Sequence, residues 1–244
     1  MKITGNTILI TGGTSGIGRA FAEKFLEHGN KVIICGRRED RLDEMKKKND
    51  GIITRVCDVQ DKDQRKLLAE WVIKNYPETN VLINNAGVQL LADLTKEVDL
   101  DRVYQEVEIN LIAPVHLTSL FAQHLSSKNE AAIINISSGL AFAPIAFMPV
   151  YCATKAALHS LTLSLRHQLK NTNVKVFEIA PPSVDTELGH DRRTDKNQSH
   201  GGIHVDEFIN EAMKFIENDI YESAVGMAEN MRQKRELLFP VMNH

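Results

Sequence analysis

A tyrosine and a lysine stand four residues apart in Tyr151-Cys152-Ala153-Thr154-Lys155, thirteen residues beyond Ser138. On a helix that spacing puts both side chains on one face, roughly 5–6 Å apart at Cβ. Pro149 suits a helix start, so the pair falls in the opening turns. Such a pair can ionise a phenol. Free tyrosine has a pKa near ~10, and each unit of depression needs about 1.4 kcal/mol. One ammonium at ~4 Å supplies about 4 kcal/mol at an effective dielectric near 20. A helix N-terminus adds modestly in the same direction. The chemistry on offer is acid–base work at an oxygen. The same spacing also fits an ordinary surface pair, so the surrounding elements must decide.

Those elements begin with Thr7 to Ile10, a short buried strand running into Thr11-Gly12-Gly13-Thr14-Ser15-Gly16-Ile17-Gly18. Ile17, Ala20, Phe21 and Phe25 then recur at helical spacing. Strand, glycine-rich turn and helix together make a dinucleotide cradle. Gly12 and Gly13 permit a tight turn, Gly16 lets backbone approach a pyrophosphate, and Gly18 lets the helix pack closely. The helix N-terminus supplies N–H groups to the phosphates.

Lys31 to Cys35 is a second strand, and Gly36-Arg37-Arg38 ends it. An NAD-specific site places an acid there for the ribose 2′-OH. Two guanidiniums suit a 2′-phosphate instead, or else form a solvated basic turn before a helix near Glu39. Ile52 to Val56 forms a third strand, leading to Cys57-Asp58-Val59. Asp58 is read as a cap for the next helix, a receiver for the adenine amino group, or both. Asp61 to Asn75, with Leu67, Leu68, Trp71 and Val72, reads as an amphipathic helix. Val81 to Ile83 is a fourth strand that opens into the small-residue turn Asn84-Asn85-Ala86-Gly87, where backbone can pass close to a ligand. A long helix is expected from about Asp101 to His124, with Asn110 set among apolar neighbours as a core amide or a functional one. Ala131 to Ile136 is a fifth strand ending in Ser137-Ser138-Gly139, the Tyr151 helix runs to about Lys170, and Val174 to Ile179 is a sixth strand. The alternation predicts one α/β domain over 1–244, a doubly wound parallel sheet with helices on both faces.

Composition bounds the partners. With 244 residues, 43% apolar and 25% charged, the chain can bury a sizeable core. A formal net charge of -3 gives no reason to expect nucleic acid or an anionic membrane. Cys35, Cys57 and Cys152 form neither a CxxC motif nor an even disulfide set, and the opening Met1-Lys2-Ile3-Thr4-Gly5 has no apolar segment. The expected compartment is the reducing cytoplasm. Nine histidines are scattered without metal-ligand spacing, and no metal site is argued.

These pieces, in order TGGTSGIG, CDV, NNAG, INL, ISSG, YCATK and PPSVDT, resemble the short-chain dehydrogenase/reductase family from about Thr7 to Thr186. The resemblance implies a Rossmann-type fold and hydride transfer between a nicotinamide and a small-molecule carbonyl or secondary alcohol. It matches Asn110, Ser138, Tyr151 and Lys155 to a catalytic tetrad. Tyr151 would exchange the proton, Ser138 would hold the oxygen, Lys155 would tune the phenol and bind ribose, and Asn110 would position a relay water. It implies cofactor contacts at Gly12, Thr14, Ser15, Gly16, Ile17, Gly18, Asp58, Val59, Asn85, Ala86, Gly87, Tyr151, Lys155, Pro181, Val184 and Thr186. With Arg37 and Arg38, NADP(H) is expected over NAD(H). Pro181-Pro182 departs from the Pro-Gly usual in the family. PPSVDTEL and YESAVGMAE look like bacterial oxidoreductases named for a link to teichoic-acid D-alanylation. Pairing of the helices holding Asn110 and Tyr151 implies a homodimer, with Met227, Met231, Leu237, Leu238, Phe239, Val241 and Met242 of the tail against a neighbouring subunit rather than a membrane.

The other readings are a cofactor-sensing binding protein without turnover and a nucleotide-sugar epimerase or dehydratase. The four tetrad residues favour catalysis over the first, and the glycine spacing disfavours the second. Leu140, Phe142, Pro144, Ile145, Phe147 and Met148 are expected to make an apolar substrate wall. Glu187 to His204 has no helical or strand period and is expected, with an amphipathic helix carrying Val205, Phe208, Ile209, Ala212, Met213 and Ile216, to form a substrate lid over 187–219.

Overall fold

Aliphatic and β-branched runs with no alternation of polarity can pair as strands only where both faces of a sheet are covered. In a computed structural model describing residues 1–189 and 201–243, these runs do so. β1 (Thr7–Thr11), β4 (Val81–Asn84) and β5 (Ala131–Ile136) are buried at every position. With β2 (Lys31–Gly36), β3 (Ile52–Val56), β6 (Val174–Ala180) and β7 (Glu222–Ala224) they form a parallel sheet in the order β3-β2-β1-β4-β5-β6-β7. The chain winds outward from β1 to β3, then returns to the centre at β4 and winds the other way. That reversal opens a crevice beyond the carboxyl ends of β1 and β4.

Successive residues of a strand feed opposite layers. Ile8 and Ile10 pack with Phe21 and Phe25 of α1 (Gly16–Glu27) and Leu42 and Met45 of α2 (Glu39–Lys48), whereas Leu9 packs with Leu68 and Val72 of α3 (Lys62–Asn75). Asp61, rather than Asp58, caps α3, accepting from the Asp63 and Gln64 amides at 2.8 and 3.2 Å. The Asp58 carboxylate accepts from the Gln60 amide instead, so the capping alternative for Asp58 is corrected. Leu67 is 58% exposed and lies off the buried face of α3.

The helix expected over 101–124 is not uniform. α4 (Leu100–Val107) passes through a π turn, Glu108–Ile112, into α5 (Ala113–Ser126). Pro114 has no N–H to give the Asn110 carbonyl four residues back, and the Ala113 amide reaches Glu108 across the wider turn. Asn110 therefore sits in a local widening of the helix. Arg65 of α3 fixes that widening from the side. Its guanidinium is buried, pairs with Glu108 at 2.8 Å and His116 Nδ1 at 3.0 Å, and donates to the Val59 and Gln60 carbonyls.

α6 (Pro149–Gln168) begins on Pro149 as expected. Buried amides tie it to the sheet: Asn84 donates to Asn135, and Asn135 donates to Thr162 of α6, each at 2.9 Å. The apolar face of α7 (Val205–Glu217) is taken up by the core. Phe208 meets Phe21 of α1 edge-on at 6.4 Å, with Ile209, Ala212, Met213 and Ile216 also buried. α7 does not reach the crevice, which corrects the part of the 187–219 lid that placed this helix over the site. Of the expected lid loop, 190–200 lie outside the described residues. β7 has only three residues and no strand signal in its sequence. After it, α8 (Met227–Lys234) lays Ala228 and Met231 against Gly139, where a Cβ would stand 2.7 Å from the Met231 sulfur. The chain then closes with α9 (Phe239–Met242). Among the described residues no helix is long and apolar enough to cross a membrane.

Candidate active site

The carboxyl ends of β1, β2, β4, β5 and β6 surround a cleft of about 430 Å³. Its lining includes Gly12, Thr14, Ser15, Gly16, Ile17, Arg37, Arg38, Asp58, Val59, Asn85, Ala86, Gly87, Ser138, Tyr151, Lys155, Pro181, Val184 and Thr186. The structure thus gathers residues from the whole length of the sequence reading into one crevice. Two expected residues do not line it, Gly18 and Asn110.

Gly18 lies behind the glycine turn. A Cβ there would stand 2.3 Å from both the Gly12 carbonyl and Asn85 Nδ2, so its role is to let α1 start against that turn. The Asn85 amide braces the same turn, donating to the Thr11 and Gly12 carbonyls at 2.9 and 3.3 Å. Gly12 and Gly16 have φ of 66° and 51°, a left-handed backbone that glycine adopts without a Cβ penalty. At Gly16 a Cβ would also meet Thr186 at 3.1 Å. The floor is bare backbone at the N-terminus of α1, the kind of cradle that phosphates fit.

Asn110 is 1% exposed and fully bonded within the protein. Its Oδ1 accepts from the Val88 amide at 2.9 Å, and its Nδ2 donates to the Val88 carbonyl at 2.9 Å and Thr154 Oγ1 at 3.1 Å. It clamps the segment after Gly87 onto α6 beside Lys155. A Cβ on Gly87 would lie 3.3 Å from Asn110 Oδ1 and 3.6 Å from Lys155 Nζ.

Tyr151 and Lys155 share a face of α6, as the spacing predicts. Lys155 Nζ stands 5.7 Å from the centroid of the Tyr151 ring and donates to the Ile136 carbonyl at 2.9 Å. The lysine is 4% exposed. Burial lowers its pKa to about 8, opposed by the charges of Glu106 and Glu178. At neutral pH it stays a cation, held where a phenolate or a ribose hydroxyl can use it. Ser138 stands at the start of a 3-10 turn, Gly139–Ala141, and its Oγ accepts from the Leu140 amide at 3.1 Å.

The expected apolar wall, Leu140 to Met148, contributes nothing to the lining of the cleft. Phe142 packs into a separate cluster with Ala180, Ala224 and Ala228, and Met148 packs on Tyr151 and Cys152. Phe147 is 55% exposed. Asn243 Nδ2 donates to the Pro144 carbonyl at 3.3 Å, so the end of the chain holds this loop.

Sequence reasoning missed Val88, Gln89 and Leu90 on the lining, although they directly follow the recognised Asn85-Ala86-Gly87 turn. It also missed Glu106, a buried carboxylate that accepts from the Leu90 amide at 2.9 Å and that no local pattern marks. Glu187, the first residue of the expected lid loop, joins the cleft beside Arg38, a pairing that no spacing showed. Away from the cleft, His159, Glu178 and Glu222 bring ligand-type atoms within 4.8 Å of one another, which no spacing showed. The His159 Nδ1–Glu178 contact is 2.7 Å, and Glu222 pairs with Arg232 at 3.2 Å.

Comparison with known proteins agrees with this geometry. A family model described as short chain dehydrogenase matches residues 6–197. "Uncharacterized oxidoreductase DltE" of Bacillus subtilis (strain 168) is 48% identical, over 100% of this chain and 98% of that protein. Among solved structures, a short chain dehydrogenase from Burkholderia cenocepacia J2315 in complex with NADP has a TM-score of 0.83 at 26% identity, covering 96% of this chain and 94% of that one. A short chain dehydrogenase/reductase from Burkholderia phymatum in complex with NAD has a TM-score of 0.86, covering 100% and 97%; at 23% identity it shows the fold alone. The crossing of the sheet, the cradle at its switch point and the full-length relative lead to one family: this chain belongs to the short-chain dehydrogenases and is an oxidoreductase.

Proposed function

We propose that the protein interconverts a small-molecule carbonyl and a secondary alcohol with NADP(H). The observation that carries this reading is the buried Lys155 cation beside Tyr151 on the wall of a cleft whose floor is the glycine cradle. When bound there, the nicotinamide supplies or accepts the hydride. Tyr151 gives its hydroxyl proton to the substrate oxygen in reduction and takes it back in oxidation. Ser138 directs its hydroxyl at the same oxygen, where negative charge develops. Lys155 stabilises the phenolate that remains and binds ribose, and Asn110 acts as a positioning residue by fixing the Val88 segment against α6.

The two solved structures named above hold different cofactors, so the choice falls to this chain's own residues. Gly36 leaves no acid to repel a 2′-phosphate, and Arg37 and Arg38 offer it two guanidiniums at the rim of the cleft. Exposed Leu100, Tyr104, Ile112 and Val115 along α4 to α5, with Leu163 on α6, support a homodimer; light scattering at micromolar concentration checks it. Three buried free cysteines suit the reducing cytoplasm.

The test is NADPH oxidation with a panel of aldehydes and ketones, wild type against Tyr151→Phe. The variant is expected to lose ~10²–10⁴-fold in kcat while its NADPH affinity stays within a few-fold. Near wild-type turnover in the variant would show the assignment to be wrong.

A further inference from the structure

The cation turn that would receive the 2′-phosphate is already engaged by an anion of the protein itself. Arg38 Nη1 donates to Glu187 Oε2 at 3.0 Å, and Arg38 Nη2 donates to Ser15 Oγ at 3.1 Å. Arg41, one helical step further along α2, reaches Glu187 Oε1 at 3.5 Å. Arg37 turns the other way, to Asp58 at 4.0 Å. Each oxygen of Glu187 therefore faces its own guanidinium.

Glu187 is not a passing surface acid. It follows Thr186, whose side chain closes on Gly16 of the glycine turn, and it lines the cleft together with Leu188 and Gly189. A carboxylate is planar and a phosphate monoester tetrahedral, but guanidiniums bind the anionic oxygens of both by the same charge-assisted bonds. We propose that Glu187 is an internal stand-in for the cofactor 2′-phosphate, and that Arg41 joins Arg38 as a specificity-determining residue once that stand-in is displaced. The proposal rests on the NADP(H) reading and deepens it.

Two physical points give it direction. The Arg38–Glu187 and Arg41–Glu187 pairs are between one third and one half exposed, a setting in which ion pairs hold weakly and exchange readily. A phosphate monoester carries about −1.5 to −2 charge at neutral pH against −1 for a carboxylate. The phosphate takes the arginines, and Glu187 is left as a like charge nearby. Glu187 thus works against NADPH and is indifferent to NADH, which brings no second anion to this turn. It reduces a preference that the arginines create.

The experiment is calorimetric titration of wild type, Glu187→Gln, Arg38→Gln, Arg41→Gln and the Glu187→Gln/Arg41→Gln double variant. The ligands are NADPH, NADH, adenosine 2′,5′-bisphosphate and 5′-AMP, so that the phosphate effect is read with and without the nicotinamide half. Glu187→Gln is expected to tighten NADPH and the bisphosphate by about fivefold, the scale of an exposed ion pair, and to leave NADH and 5′-AMP unchanged. Adding Arg41→Gln is expected to reverse that gain for the two phosphate ligands only. If Glu187→Gln leaves the NADPH-to-NADH ratio unchanged while Arg38→Gln still weakens NADPH, the stand-in is overturned and the cofactor reading survives. If wild type prefers NADH and Arg38→Gln costs NADPH nothing, both fall together.

Discussion

Replacing Lys155 by methionine should make the protein more stable and inactive at once. The side chain is buried, and its pKa of about 8 lies below the 10.5 of an ordinary lysine. At ~1.4 kcal/mol per pKa unit, holding this ammonium out of water costs the fold about 3 kcal/mol at pH 7. Methionine fills similar volume without charge, but it gives up the bond to the Ile136 carbonyl, worth ~1 kcal/mol. The net expectation is a gain of about 2 kcal/mol, or ~4–8 °C in Tm for a chain of this length. The sign depends on pH. Below pH ~8 the lysine is protonated in both folded and unfolded chains, so its cost is present in full. Between about 8 and 10.5 the folded protein releases the proton first, and wild-type stability recovers relative to the variant. Above that window the cost is gone. Urea unfolding of both proteins at pH 7, 8, 9 and 10, with turnover measured in parallel, checks this. A variant less stable than wild type at pH 7, by a margin that does not change with pH, refutes the reasoning. So does a variant that still turns over.

Arg65→Met should destabilise by about 1–3 kcal/mol, because it takes the buried donor away from the Val59 and Gln60 carbonyls and leaves the π turn without its brace; an unchanged urea midpoint counts against this. His159 has a raised pKa, first from its hydrogen bond to Glu178 and further from Glu222, against burial and Arg235. Its stabilisation is complete below the unfolded value near ~6.5 and fades as pH rises through the raised folded one. His159→Gln should abolish that loss, and parallel stability curves for variant and wild type from pH 6 to ~8.5 would contradict it. Gly18→Ala should cost about 1–3 kcal/mol by overpacking and weaken cofactor binding by displacing the Asn85 brace, as read by thermal unfolding and titration.

The parts of the fold that were legible in the sequence are those whose signals are local. β1 and β5 are largely apolar runs ended by turn residues, and their bounds in the structure differ little from those read. The Tyr151–Lys155 face followed from helical period alone. What was not legible depends on distant partners. Glu187 reaches Arg38 across 149 positions, and Asn243 reaches Pro144 across 99. The π turn at Glu108–Ile112 has no composition of its own, the sequence reading ran one helix straight through it, and the Arg65 brace comes from another helix. β7 is too short for a period and exists because β6 offers it an edge. The apolar face of α7 was visible, but period does not say which surface a face covers, and α1 took it.

The reversal of winding at the centre of the sheet has a consequence for how such a protein can diversify. Strands wound to one side of β1 end in Gly36-Arg37-Arg38 and Asp58, and those wound to the other end in Ser138 and lead to Tyr151 and Lys155. On the function proposed above, recognition of the adenosine end and chemistry at the oxygen belong to separate stretches of chain that meet only across the cleft. A substitution after β2 can retune which nucleotide is used without shifting the acid–base pair. A change after β5 can alter the reacting partner without disturbing nucleotide selection. Glu187 and its neighbours are the exception, since they touch the cation turn and the glycine turn together. On that reading the two capacities lie apart in the sequence, and that short segment is where a change in one is felt by the other.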